Sequence, residues 1–154
     1  MTPAPPPRTA LRRKQDVLDR LAGDVDAWVS TAGPDGWQPH LVPLSFLWDG
    51  ATLLLSTGAD SPTGRNLRDG GQVRLGLGHT RDVTVIEGSV ETVPPAGLRE
   101  GEGDAFAVKT GFDPRALSTP YLYFRVTPLR ILAWREENEL KGRELMRDGR
   151  WTVA

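Results

Sequence analysis

Cysteine is absent from the 154 residues, which excludes disulfides, thiolate nucleophiles and zinc-thiolate centres together. Histidine occurs only at His40 and His79. With no thiolates to join them, a dedicated metal site is not expected. An excess of one charge is lacking too: 19 basic and 20 acidic residues leave a formal net charge of -1. No strong field therefore draws nucleic acid or an anionic lipid surface. No apolar run is long enough to span a bilayer, and residues 2–8 are proline-rich where a secretory signal needs an apolar segment. A cytoplasmic protein with no nucleic-acid partner and no membrane partner is expected.

Familiar catalytic signatures are also missing. There is no Gly-x-Ser-x-Gly elbow. Gly76-Leu77-Gly78-His79-Thr80-Arg81 begins like a dinucleotide fingerprint, but it lacks the third glycine and lies in a strand where that motif needs a helix. The acidic run Glu136, Glu137 and Glu139 reads as a solvated face.

What is present is one domain's worth of chain, 38% hydrophobic. Pro5, Pro6 and Pro7 cannot propagate a helix or a central strand, so residues 1–9 are expected to be a disordered tail and 10–154 a single domain. Leu11, Leu18, Leu21 and Ala22 form a helical stripe that ends at Gly23. The period then shortens to that of strands. Residues 27–31 and 38–48 flank a Gly33-Pro34-Asp35-Gly36 turn, and Asp49-Gly50 leads into 52–56. Pro43 has no N–H to give, so one side of its strand should be an edge, a bulge or a break in pairing.

Beyond a helix at 61–69, stopped by Gly70-Gly71, strands are expected at 73–77 and 83–93, a short helix at 104–110, and paired strands at 121–126 and 131–135 about a Thr127-Pro128 turn. Residues 136–143 read as a polar loop or arm. Six or seven short strands with few helices predict a small β-barrel that hides its edges by closure.

Chemistry concentrates at Ser61-Pro62-Thr63-Gly64-Arg65-Asn66-Leu67, directly after a strand. Ser61 is a good N-cap and Pro62 suits the first helical position. The helix dipole, free N–H groups and Arg65 then favour an anion, although the same residues also suit a plain capped surface helix. Gly76 and Gly78 in a later strand admit a close neighbour, either a flat ring or another backbone.

The succession Val29-Ser30-Thr31-Ala32-Gly33-Pro34-Asp35-Gly36, Pro39-His40-Leu41-Val42-Pro43-Leu44-Ser45-Phe46-Leu47-Trp48-Asp49-Gly50, residues 53–57 and Gly64-Arg65-Asn66-Leu67 resembles the pyridoxamine 5'-phosphate oxidase-like family of flavin- and deazaflavin-binding split barrels. The likeness continues through 83–93 and 121–136. It implies a mainly β fold, a six-stranded FMN-binding split β-barrel of Greek-key type with short peripheral helices, assembled as a homodimer with cofactor grooves at the interface.

On that resemblance Pro43, Leu44 and Ser45 would lie along the ring, and Ser56 and Thr57 would flank it. Ser61, Thr63, Arg65 and Asn66 would hold the phosphate end. Trp134 and Arg135 would reach across the dimer, with ordinary barrel packing as the alternative for Trp134. The family's Arg-x-His substrate motif is missing from Gly149-Arg150-Trp151-Thr152-Val153-Ala154, which argues against oxidation of vitamin B6 phosphates. The lysine common near Gly64 is missing too, leaving Arg65, with Arg68 one turn on, as the cationic anchor.

The implied activity is an F420- or FMN-dependent oxidoreductase that passes a hydride between the cofactor and a small conjugated organic substrate. Arginine in place of lysine, 16 against 3, favours F420. The alternative is a non-catalytic protein that binds or carries a flavin, a deazaflavin or haem.

Overall fold

A computed structural model describes residues 2–34, 36 and 38–154. Asp35, within the expected first turn, lies outside the described residues. Helix α1 (Ala10–Gly23) starts where the Thr9 hydroxyl accepts the N–H of Arg12, and it turns Val17 and Leu21 to the core. Strands β1 (Asp26–Ala32), β2 (Pro39–Trp48) and β3 (Leu53–Gly58) follow. Helix α2 (Pro62–Gly70) then leads to β4 (Gln72–His79) and β5 (Asp82–Val93), and α3 (Glu102–Thr110) precedes β6 (Tyr121–Trp134). A terminal hairpin consists of β7 (Glu144–Arg147) and β8 (Arg150–Trp151).

All neighbours are antiparallel in the order β3-β2-β1-β4-β5-β6, and β3 pairs back onto β6 to close a six-stranded barrel. Hairpin β7–β8 extends the sheet from β6. Alternation sends Val29, Phe46, Leu75, Ile86, Phe124 and Ile131 into the barrel interior. On β3 the run Leu53-Leu54-Leu55 is buried on both faces. Leu53 and Leu55 join the interior, whereas Leu54 packs with Val93, Phe106 and Tyr123 under α3. A fork from Arg125 to Glu102, at 2.9 and 2.7 Å, fastens α3 to β6.

Two expectations are corrected, and one element is added. Residues 121–134 form one continuous strand, not two strands about a Thr127-Pro128 turn. Pro128 is tolerated because it sits beside a bulge: Glu87 faces Arg130 and Gly88 faces Pro128, which leaves Leu129 as the extra residue. Pro128 also falls between the segment of β6 that pairs with β3 and the one that pairs with β7. The polar arm is followed by a hairpin whose Asp148-Gly149 turn has positive φ at both positions, 51° and 77°. Glu139 is not on a solvated face. It is 2% exposed and binds Arg8.

Candidate cofactor groove

The barrel is split between β2 and β3. These strands pair only over Phe46↔Leu55, Leu47↔Leu54 and Trp48↔Leu53, whereas β2 pairs with the whole of β1 from Pro39 to Ser45. Phe46 donates its N–H to Val25 on the β1 side at 2.9 Å. Strand alternation therefore turns the backbone groups of Leu41, Pro43 and Ser45 toward the unpaired edge. Pro43 thus points its missing N–H into the gap, where no ladder bond is lost. The Ser45 carbonyl is taken up in closing the Phe46↔Leu55 pair, and the exposed edge beyond it still offers the N–H of Ser45, the N–H and C=O of Leu41 and the carbonyl of Pro43.

Across the gap, β3 runs on through Ser56, Thr57 and Gly58, paired there with β6, into the start of α2. Ser61 is the N-cap, as its sequence position implies: its hydroxyl accepts the Gly64 N–H at 3.0 Å and donates to the Gly58 carbonyl at 2.8 Å. Helix α2 ends at Gly71 with φ of 71°. Position 64 has no room for a side chain, because a Cβ there would overlap the Gly58 carbonyl oxygen and lie 3.1 Å from Ser61 Oγ.

The expected site residues divide by what they already hold. Leu44 points inward and packs on the barrel core, while Pro43 is exposed beside the edge. Ser45 donates to Asp26 at 2.6 Å, and Ser56 to the Leu122 carbonyl at 2.9 Å. Thr57 is nearly buried and Thr63 fully so. Asn66 donates to Thr31 at 3.2 Å, tying α2 to β1. Arg65 is exposed and, among the described residues, bonds only the Asp60 carbonyl, at 2.6 Å. Among the described residues it has no carboxylate partner, whereas Arg68 is paired with Asp69 at 3.0 Å. Among the described residues nothing takes the Thr63 N–H at the helix start, and Arg65 is placed to meet an anion.

Trp134 and Arg135 lie elsewhere. Gly58 pairs with Tyr121 at one end of β6, while Trp134 ends the same strand and pairs with Val83. The two ends are about 40 Å apart along the strand. A single chain does not bring Trp134 and Arg135 to the Ser61 corner. The Trp134 ring carries the Arg143 guanidinium over it at 5.9 Å, and the Arg135 guanidinium lies 3.3 Å from Asp82.

Of the two glycines in β4, Gly76 lies beside Trp28, and Gly78, with φ of +84°, admits the Arg20 guanidinium. The close approach at Gly78 is thus made by a side chain and, equally near, by another backbone, the Asp82 carbonyl. Sequence reasoning missed Asp26 as the partner of Ser45, and Leu41 as an edge residue 60% exposed. No alternation marks either of them, since residues 41–44 are all apolar in sequence. Among the described residues no group of three His, Asp or Glu side chains is arranged to hold a metal.

A closed antiparallel barrel split along one strand pair defines the split-barrel class. The chain belongs to the pyridoxamine 5'-phosphate oxidase family, whose sequence model matches residues 15–135. No protein of curated function matches the sequence. Among solved structures, a putative pyridoxamine 5'-phosphate oxidase from Listeria innocua superposes with a TM-score of 0.64 at 18% identity, over 80% of this chain and 98% of that one. A structure described as an F420 reductase gives 0.59 at 20% identity, over 73% and 93%. A FAD-binding protein from Mesorhizobium loti gives 0.60 at 21%, over 81% and 93%. At such identities the likeness establishes the fold.

Proposed function

We propose that this chain is an F420- or FMN-dependent oxidoreductase that passes a hydride between the bound ring and a small conjugated organic substrate. The observation that carries the reading is the split itself: an unpaired backbone edge at Leu41, Pro43 and Ser45 faces a helix start whose Arg65 has no carboxylate partner among the described residues. A flat ring with polar edges takes hydrogen bonds from such an edge, and an anionic tail takes the guanidinium. When bound, the flavin or deazaflavin supplies the hydride chemistry. The chain's own groups bind and orient it. Ser45 and Leu41 offer backbone donors, Pro43 leaves room for ring atoms, and Arg65 with the Thr63 N–H meets the phosphate. Similarity to structures described as an F420 reductase and a FAD-binding protein supports the cofactor class, and the arginine-rich composition favours F420.

The working unit in this reading is a homodimer. Trp28 and Leu41, 53% and 60% exposed, stand with Pro43 on the outer face beside the open edge. Covering this apolar face with a second copy buries it and brings that copy's Trp134 and Arg135 to the groove. Absorbance and fluorescence titration of the purified protein with FMN and with F420 tests the cofactor. Binding of neither refutes both assignments. Turnover of the reduced cofactor against enones and quinones then tests catalysis, and a bound ring that passes no hydride to any of them marks a carrier.

A further inference from the structure

The end of β6 that carries Trp134 and Arg135 is bound to the N-terminal segment through one buried carboxylate. Glu139 accepts the Arg8 backbone N–H at 2.9 Å and the Arg8 guanidinium at 2.7 and 3.0 Å, and it also accepts the Arg135 backbone N–H at 2.9 Å. Asn138 donates to the Pro5 carbonyl at 2.9 Å. The side chains compete as well as connect. Arg8 bonds Asp16 at 2.9 Å and approaches Asp82 to 3.9 Å, and these are the two carboxylates that Arg135 faces, at 3.8 and 3.3 Å. Arg12 and Arg20 complete the cluster, at 2.9 Å from Asp16 and 3.3 Å from Asp82. Of these four arginines only Arg8 and Arg135 face both carboxylates, and Arg8 comes from a segment with four prolines in residues 3–7, whose stiff backbone loses little entropy on docking.

We propose that residues 2–8 form a strap that, latched on Glu139 and sharing Asp16 and Asp82 with Arg135, positions Arg135 and Trp134 for the neighbouring subunit's groove. The last part rests on the dimer reading above; the strap itself does not. With Arg8 in place, the carboxylates are partly neutralised and the Arg135 guanidinium keeps 46% of its side-chain surface open. Without Arg8, Asp16 keeps Arg12 and Asp82 keeps Arg20, each carboxylate loses one cation, and both draw harder on Arg135, away from any ligand. Arg8 and Glu139 are positioning residues, since neither touches the groove.

The test uses the full chain and its Arg8→Ala and Arg8→Lys variants. Amide exchange followed by NMR, without cofactor, should rise at the Arg135 backbone N–H and the Asn138 side-chain amide in Arg8→Ala; unchanged exchange overturns the strap. Titration with FMN and F420 should then show affinity about fivefold weaker in Arg8→Ala. Arg8→Lys, which keeps the charge shared by Asp16 and Asp82, should restore it. Equal affinity in all three chains overturns the positioning role. If the native chain binds neither cofactor, the groove reading and the role of Arg135 in it fall together, and the exchange result alone decides the strap.

Discussion

Replacing Arg65 with alanine separates the cofactor groove from the fold that carries it. The guanidinium is exposed and makes one hydrogen bond among the described residues, to the Asp60 carbonyl, so its loss should change stability by no more than about 0.5 kcal/mol. Ser61 still caps α2, because its bonds to Gly58 and Gly64 do not involve Arg65. A charge-assisted hydrogen bond to a phosphate contributes about 1.5–3 kcal/mol, and an exposed site belongs at the lower end of that range. The expected loss is therefore about tenfold in cofactor affinity. Because water and salt screen this contact, the penalty should shrink between about 0.05 and 0.5 M salt. Arg65→Lys should recover part of the loss, since it returns the charge without the fork. Arg68→Ala is the control, because that guanidinium is already paired with Asp69. Fluorescence titration gives the affinities and a thermal melt checks the fold. Unchanged affinity for Arg65→Ala in a protein that binds cofactor would show that the phosphate lies away from this corner.

Further outcomes follow from buried groups and the outer face. Glu139→Gln leaves Arg8 facing a neutral amide at a 2% exposed site, so denaturant unfolding should show a loss of about 3 kcal/mol; a change below about 0.5 kcal/mol would refute the latch energetics. The acid limb of stability carries a sign. The hydrogen bond from Arg8 holds Glu139 at about 2, against an ordinary 4.5. Burial pushes Asp49 up, but hydrogen bonds from Thr52, Ala51 and Arg99 outweigh it and bring it to about 2 as well. Folded-state values below the unfolded ones mean that this stability is complete above about pH 4.5 and lost as pH falls toward 2. Melting temperatures across that window should fall steeply, and less steeply in Glu139→Gln. Gly64→Ala should cost about 1–3 kcal/mol in a denaturant melt, since its methyl overlaps the Gly58 carbonyl. Trp28→Glu places a charge on the apolar outer face, and sedimentation should show a monomer where the native chain is a dimer; a native monomer would remove the interface.

Much of the fold was legible because local signals were unopposed. Ser61 and Pro62 mark a helix start by their own chemistry, and that helix begins there. Pro43 called for an interrupted pairing, and the free edge of β2 supplies it. Residues 121–134 misled because Thr127-Pro128 is a turn signal by composition. The bulge at Leu129 absorbs the proline without reversing the chain, and that outcome depends on β5 opposite. Asp148-Gly149 carried a readable hairpin signal that the flanking charges obscured.

The sequence by itself determined the alternation that closes a barrel, the capped corner at Ser61 and the exclusion of thiolate chemistry, because each depends on residue type and near neighbours in the chain. Only the tertiary structure decided that Arg65 has no carboxylate partner among the described residues while Asn66 is bound to Thr31, that Trp134 and Arg135 stand at the far end of β6 from the corner, and that Glu139 is buried against Arg8. Those facts rest on contacts between residues as many as 131 positions apart. No local pattern encodes which distant partner arrives.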